Sequence, residues 1–501
     1  MLDAIQTATG EIFAFTQLSL LLAGVLMGMV IGIIPGLSGR VGLALLLPFI
    51  VHLSPASALA LMVGVHAITN TSDTIPAVLF GIPGTTGTTA TILDGYPMAK
   101  NGEAERAFGA AFVASAIGGI VGAFTLLAAI PVLRPLILTF GNPELFMTVV
   151  LAIVMVALLT SRGAPVKALI AGALGLMIGM VGEAPVTAIE RWTFDIPYLW
   201  DGLPLIPIAL GLFAIPEFID MTLGGSKIAN VELPEGVSTK WRGVRDVFEN
   251  WWLVLRSSLL GTWIGILPGL GSPPAIWLAY SHAVQSSKDR EGFGKGDVRG
   301  VIAPEAANNA SDSGAFVLTL GFGIPGSTTM ALFLAAWLIL GLSPGPKMLT
   351  DHLDLTLVIV WSLILANVIA TGLCFAFSKQ LARITNVPVH YLFPVLTVVV
   401  LVAAYQNSAQ WGDVLVLLGF SLLGISMKRL GWPRPPLIVG IVLQRLSEVY
   451  FALTTQLYGS SWLTRPIVIA LFVLIIATIA HSVIRAQQAR LARGAAARKG
   501  S

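Results

Sequence analysis

Long apolar runs recur from one end of this chain to the other, and they limit its fold more than any other feature. A bilayer crossing takes about 20 predominantly apolar residues. Gln17–Ile34, Ala107–Ile130, Pro143–Thr160, Val166–Val181, Gly202–Leu223 and Trp251–Leu267 approach or meet that length. Composition agrees, with 55% hydrophobic against 11% charged residues and a mean hydropathy of +0.85. A soluble domain would have too little polar surface to cover itself. The expectation is an all-α polytopic membrane protein with about a dozen membrane segments. The 29 basic and 26 acidic residues nearly balance and give no case for nucleic acid. The one cysteine, Cys374, lies in an apolar run, which excludes an intrachain disulfide and a cysteine metal site. No lysine or arginine precedes the first apolar run, so that run is expected to be a membrane helix rather than a cleaved signal.

Several of these runs break and resume. Polar groups and helix breakers at membrane depth are tolerated where they face protein or a water-filled site. The stretch from Ala303 to Met330 starts with Glu305, Asn308 and Asn309, continues apolar, and ends in Gly323, Ile324, Pro325 and Gly326, followed by Ser327, Thr328 and Thr329. A weaker copy carries Asn70 and Asp73 and ends in Gly81, Ile82, Pro83 and Gly84, followed by Thr85 and Thr86. Two further breaks fall at Pro35-Gly36 and Pro268-Gly269, and the first predicts a hairpin or interrupted helix.

These breaks pair up along the chain. Gly32 and Gly265 are 233 residues apart, Gly81 and Gly323 are 242 apart, and Glu217 and Glu448, each ending an apolar span, are 231 apart. The extra charged loop Lys288 to Arg299 accounts for the difference between the first two spacings. Anchors in one order at nearly one offset indicate an internal duplication. Corresponding loops also differ in charge. The 161–167 loop is basic and its partner 406–411 uncharged, whereas 183–201 is acidic and its partner 428–434 basic. Basic loops face the cytoplasm, so the halves are expected to be inverted relative to each other, with discontinuous or re-entrant helices. The expected organisation is a first membrane repeat at 1–223, a cytoplasmic linker at 224–250, a second repeat at 251–460, an extra helix at 461–484 and a basic cytoplasmic tail at 485–501. The N-terminus would then lie outside.

A broken helix exposes N–H groups at one new end and C=O groups at the other. The N-terminal end attracts anions. Thr85, Thr86, Thr88 and Thr89 after Pro83-Gly84, and Ser327, Thr328 and Thr329 after Pro325-Gly326, are candidate carboxylate donors, or else N-caps. Pro35, Gly36, Pro268 and Gly269 join them as substrate-lining candidates. Asn70, Asp73, Glu305, Asn308 and Asn309 offer hard oxygen ligands for Na⁺, or a carboxylate for a proton. Alternatively the last three cap a helix starting at Pro304. Arg40 either counters a substrate carboxylate or snorkels. The histidines fall in no metal-ligand spacing, and no phosphate-binding loop, Gly-x-Ser-x-Gly elbow or His-Glu-x-x-His is present. A transporter without enzymatic activity is the leading expectation, and an ion channel or membrane scaffold is the alternative.

The chain resembles the large membrane subunit of the bacterial tripartite tricarboxylate transporters over nearly its whole length. The resemblance is carried by Gly32-x-x-Pro35-Gly36-Leu37, by Ile82-Pro83-Gly84 leading to Asp94-Gly95-Tyr96-Pro97, by Gly265-x-x-Pro268-Gly269, by Phe293-Gly294-Lys295-Gly296, and by Ala303 to Ala310 with Gly323 to Gly326. It implies a symporter of the inner membrane driven by a cation gradient, with no cofactor beyond Na⁺ or H⁺. A periplasmic solute-binding protein would deliver an organic acid such as citrate, a dicarboxylate or an aromatic acid, and a small membrane subunit would be a partner. The chain departs from the family pattern at His66 to Pro76, where a Tyr- and Gly-rich segment is usual, and at Asp312, where a small apolar residue is usual.

Overall fold

The computed structural model describes residues 2–34, 38–159, 161, 164–223, 239–384 and 389–499. Pro35, Gly36 and linker residues 224–238 lie outside them. The chain is an all-α polytopic membrane protein. Among the described residues, six helices are long and apolar enough to cross a membrane, and five shorter apolar helices accompany them. The strand pairing among the described residues is one antiparallel pair, β1 (Gly182–Glu183) with β2 (Glu190–Arg191).

The first half runs α1 (Leu2–Ile12), α2 (Phe15–Ile33), α3 (Gly39–Ile50), α4 (Pro55–Ser72), α5 (Thr74–Phe80), α6 (Ile92–Lys100), α7 (Ala104–Ile137), α8 (Asn142–Leu159) and α9 (Pro165–Gly179). The predicted span 202–223 is α10 (Leu205–Ala209), a π-helical turn at Leu210–Ala214 and α11 (Ile215–Leu223). The second half runs α12 (Lys240–Glu249), α13 (Trp251–Gly265), α14 (Ser272–Ser286), α15 (Arg299–Phe322), α16 (Thr328–Ile339), α17 (Pro346–Thr350), α18 (Leu353–Ile384), α19 (Val389–Gln406), α20 (Trp411–Arg429) and α21 (Pro435–Tyr458). A last helix, α22 (Pro466–Lys499), follows. The polar linker stretch therefore ends in a helix, α12, which packs on α7 as α1 packs on α18.

Small residues let these helices approach closely, which is the usual basis of helix association in lipid. Gly24, Gly28 and Gly32 of α2 lie against Leu61, Val65 and Thr69 of α4, so α2 and α4 run parallel. In the second half Gly261 and Gly265 of α13 lie against Ala307 and Ser311 of α15, again parallel. The Pro35 break separates α2 from α3, which turns back so that Gly39 meets Thr69 and Gly42 meets Val65. Across the halves α4 and α15 run antiparallel. Asn70 reaches Asp312, Thr71 reaches Asn309 and Thr74 reaches Glu305. That crossing places the functional candidates of both halves in the middle of the protein.

Candidate functional site

Both Pro-Gly breaks adopt one geometry. Gly81 and Gly323 end α5 and α15 with φ of 65° and 68°, a left-handed conformation that glycine adopts without steric cost. Three residues on, Gly84 folds back onto Asp73, where a Cβ would stand 2.7 Å from the backbone oxygen. Gly326 folds back onto Ala315, where a Cβ would stand 2.6 Å from Cα. Thr85 and Ser327 then act as caps. The Thr85 hydroxyl accepts from the Gly87 N–H at 3.0 Å and the Ser327 hydroxyl from the Met330 N–H at 3.3 Å.

After the caps the two halves differ. Ser327 opens a full helix, α16, whereas Thr85 opens a three-residue 3₁₀ turn, Thr86–Thr88, and α6 begins later at Ile92. The expectation of a helix N-terminus at both breaks therefore holds for the second alone. Gly87 and the neighbouring threonines are poor helix formers, whereas Met330, Ala331 and Leu332 are good ones.

A cavity of about 690 Å³ lies between the halves. Its wall includes Thr85, Thr86, Gly269, Ser327, Thr328 and Thr329 of the substrate-lining candidates, together with Asn70 and Arg40. Pro83, Gly84, Pro268, Pro325 and Gly326 shape the turns behind it and are not in the wall. Four helix N-termini meet there: α3 at Ser38, α14 at Ser272, α16 at Ser327 and α21 at Arg434 and Pro435. α14 and α21 carry consecutive prolines, which have no N–H, in their first turns, so what the four ends share is the partial positive charge of a helix N-terminus, and its convergence favours an anion.

The remaining cation candidates lie behind this wall. Glu305, Asn308 and Asn309 sit inside α15, which begins at Arg299, ahead of Pro304, so they do not cap a helix at the surface. Glu305 is fully buried and accepts hydroxyls from Thr91 at 2.7 Å, Ser115 at 2.9 Å and Thr74 at 3.0 Å. Asn308 donates to the Asn70 carbonyl at 3.2 Å, and Asn309 donates to Thr71 at 3.0 Å and to Asn367 at 2.8 Å. Thr85 donates to one oxygen of Asp73. The other Asp73 oxygen and the amide oxygens of Asn308 and Asn309 are buried with no hydrogen-bond partner among the described residues. Asp73 and Asn308 both face the Gly84–Gly87 turn. Buried oxygens left unpaired are costly, and a hard cation would satisfy them.

Lys428, Arg434 and Glu217 also line the cavity, although sequence reasoning used their segments for sidedness and repeat matching only. Glu217 holds both cations, each at 2.8 Å. Arg434 donates as well to the Leu212 carbonyl, in the π-helical turn, at 2.8 Å. The prolines at 433, 435 and 436 are a helix-start signal that could have placed the α21 N-terminus here. At the other end of the protein Arg191 of β2 makes a two-pronged pair with Glu448, at 2.8 and 3.1 Å. Each half thus supplies the arginine that holds the other half's terminal glutamate.

With this geometry in hand, comparison with known proteins is specific. Residues 18–439 match the Tripartite tricarboxylate transporter TctA family. The chain belongs to that family. It is also 31% identical over 432 residues to an uncharacterized 52.8 kDa protein in the TAR-I ttuC′ 3′ region of Agrobacterium vitis, covering 85% of this chain and 84% of that one. An uncharacterized protein in the TAR-II ttuC′ 3′ region of the same organism is 31% identical over 188 residues, 38% of this chain and 78% of that one. No solved structure matches. Membership of the TctA family makes this a transporter component, the large subunit of a tripartite tricarboxylate transporter.

Proposed function

We propose that this chain is the permease of a binding-protein-dependent secondary transporter that imports an organic carboxylate down a Na⁺ or H⁺ gradient by alternating access. The observation that carries this reading is the cavity. Four helix N-termini, two hydroxyl clusters and the cations Arg40, Lys428 and Arg434 meet between two halves whose counterpart helices, α4 and α15, run antiparallel. Such an arrangement suits inverted repeats that rock or slide about a central site. A di- or tricarboxylate would take hydroxyl and N–H donors from Thr85, Thr86, Ser327, Thr328 and Thr329. The coupling cation travels as a second cargo, held by Asp73, Asn308 and Asn309 with Asn70 and Glu305 in support.

Ser161, between α8 and α9, and Lys428 to Arg434, at and after the end of α20, line one side of the cavity, with the basic residues Lys167, Lys428, Arg429 and Arg434 on or beside these segments. On the positive-inside rule that side faces the cytoplasm of an inner membrane, with the N-terminus periplasmic and the C-terminus cytoplasmic. A small membrane subunit and a periplasmic solute-binding protein complete the system.

The test is uptake of radiolabelled citrate and a panel of other carboxylates into vesicles holding all three components, with and without an inward Na⁺ or proton gradient. Accumulation above equilibrium that needs both gradient and binding protein supports the proposal. Flux that only equilibrates, whatever the gradient, overturns it in favour of a channel.

A further inference from the structure

The hairpin formed by α13 and α14 touches the cavity with its tip, where Gly269, Leu270, Gly271 and Ser272 are in the wall. Gly261 and Gly265 turn one side of α13 against α15. Trp252, Arg256, Leu259 and Trp263 follow one another at helical spacing and share the opposite side. Trp252, Leu259 and Trp263 are 53%, 49% and 64% exposed, and Trp277 and Leu278 of α14 are exposed as well. In a membrane protein such an apolar face meets lipid.

Arg256 interrupts that face, and a charge among lipid tails is costly. Its guanidinium bends back over the Trp252 ring, with Cζ 5.9 Å from the ring centroid, and Nε donates to the Trp252 carbonyl at 3.4 Å. The reach back to Trp252 runs about 6 Å along the helix, toward the Trp251 end, where exposed tryptophans suit headgroup depth. Arg256 pairs with no carboxylate among the described residues, whereas Arg245 of α12 holds Glu249 and Arg106 of α7 holds Asp246. Half-buried His282 of α14 is its electrostatic neighbour across the hairpin. At the 233-residue spacing of Gly32 and Gly265, the first half has Ala23 and Phe49 in the places of Arg256 and His282. A hairpin of this kind therefore forms without either polar side chain.

We propose that Arg256 and His282 bind the phosphate of an anionic lipid on the outer face of the α13–α14 hairpin. An arginine fork fits two phosphate oxygens at once, and the imidazole adds an N–H donor beside it. Trp252 lies at the headgroup, and Leu259, Trp263 and Leu278 lie along the acyl chains. The polar linker and α12 lead into α13, so on the orientation proposed above this lipid belongs to the cytoplasmic leaflet, where basic groups beside a helix recognise anionic headgroups. The site is independent of which acid the cavity carries.

The experiment is native mass spectrometry of the purified full chain in detergent with dioleoyl phosphatidylglycerol or dioleoyl phosphatidylcholine, which share acyl chains and differ in headgroup charge. The unmodified chain should bind phosphatidylglycerol more tightly. Arg256→Gln should weaken that binding about fivefold and leave phosphatidylcholine binding unchanged. Arg245→Gln, which removes an exposed arginine already paired with Glu249, should bind as the unmodified chain does. Equal weakening by the two variants means diffuse surface charge and overturns the site. Equal binding of both lipids by the unmodified chain also overturns it and leaves this face to a protein partner. Displacement of phosphatidylglycerol by millimolar inorganic phosphate reassigns the two side chains to a free anion and overturns the lipid, whereas persistence of the complex supports it. Where Arg256→Gln gives no folded chain, His282→Leu decides, since an undiminished preference for phosphatidylglycerol contradicts the pair.

Discussion

Replacing Asp94 by alanine tests whether one buried carboxylate holds the extra loop of the second half onto the first. Asp94 Oδ1 accepts the backbone N–H groups of Gly294 at 2.8 Å, Gly296 at 2.9 Å and Asp297 at 2.9 Å, and Oδ2 accepts the Tyr280 hydroxyl at 2.8 Å. The carboxylate is fully buried, and its three backbone partners lie in Lys288–Arg299, the charged loop without a counterpart in the first half, while Tyr280 comes from α14. Asp94→Ala leaves three N–H donors unpaired, at about 1–3 kcal/mol each if they stay dry. Gly294 is exposed and Gly296 and Asp297 half-buried, so water recovers part of this. A total of about 3 kcal/mol follows, near the low end of that range. For a chain of 501 residues the thermal midpoint should fall by about 3 °C. Asp94→Asn keeps an acceptor oxygen and should lose about a third as much. Tryptophan-fluorescence melting of the purified chain in detergent provides the measurement. An Asp94→Ala midpoint within a degree of the unmodified chain would refute the reasoning.

Thr328→Val removes one donor from the cavity wall, and binding of the carboxylate that the unmodified chain prefers should weaken about fivefold, with unchanged thermal stability. Asn309→Ala opens the buried amide network and leaves the Asn367 oxygen unpaired, so dependence of uptake on the cation gradient should decline and stability should fall by about 1–3 kcal/mol. Gly326→Ala places a methyl 2.6 Å from the Cα of Ala315, which no rotamer change relieves, and should destabilise the chain by about 1–3 kcal/mol, seen as a lower melting midpoint.

The breaks were legible because they depend on local chemistry. Gly81 and Gly323 occur where a helix must end in a left-handed residue, and Thr85 and Ser327 follow as caps. The 242-residue spacing of those breaks also separates Asn70 from Asp312, whose contact no local pattern could reveal. Glu305 was read as a cation partner from residue type alone. Its three hydroxyl partners come from α5, the turn before α6, and α7, and only tertiary folding assembles them. Lys428, Arg434 and Glu217 were missed in the cavity for a related reason. A charged loop near a helix end informs about sidedness, and its return over a central cavity depends on how α20 and α21 pack. The single-turn start after Thr85 was missed because flanking hydroxyls look alike in both halves, while helix propensity beyond them does not.

The central claim is that the cavity between the halves holds a carboxylate and opens to one side at a time. Thr328→Cys tests it directly, because the one native cysteine, Cys374, is fully buried and silent to a bulky reagent. A membrane-impermeant maleimide is applied from either side of oriented vesicles, with and without each acid of the carboxylate panel. The account predicts labelling from the cytoplasmic side in the conformation described, slowed by the transported acid. Equal labelling from both sides with no protection by any acid would contradict it.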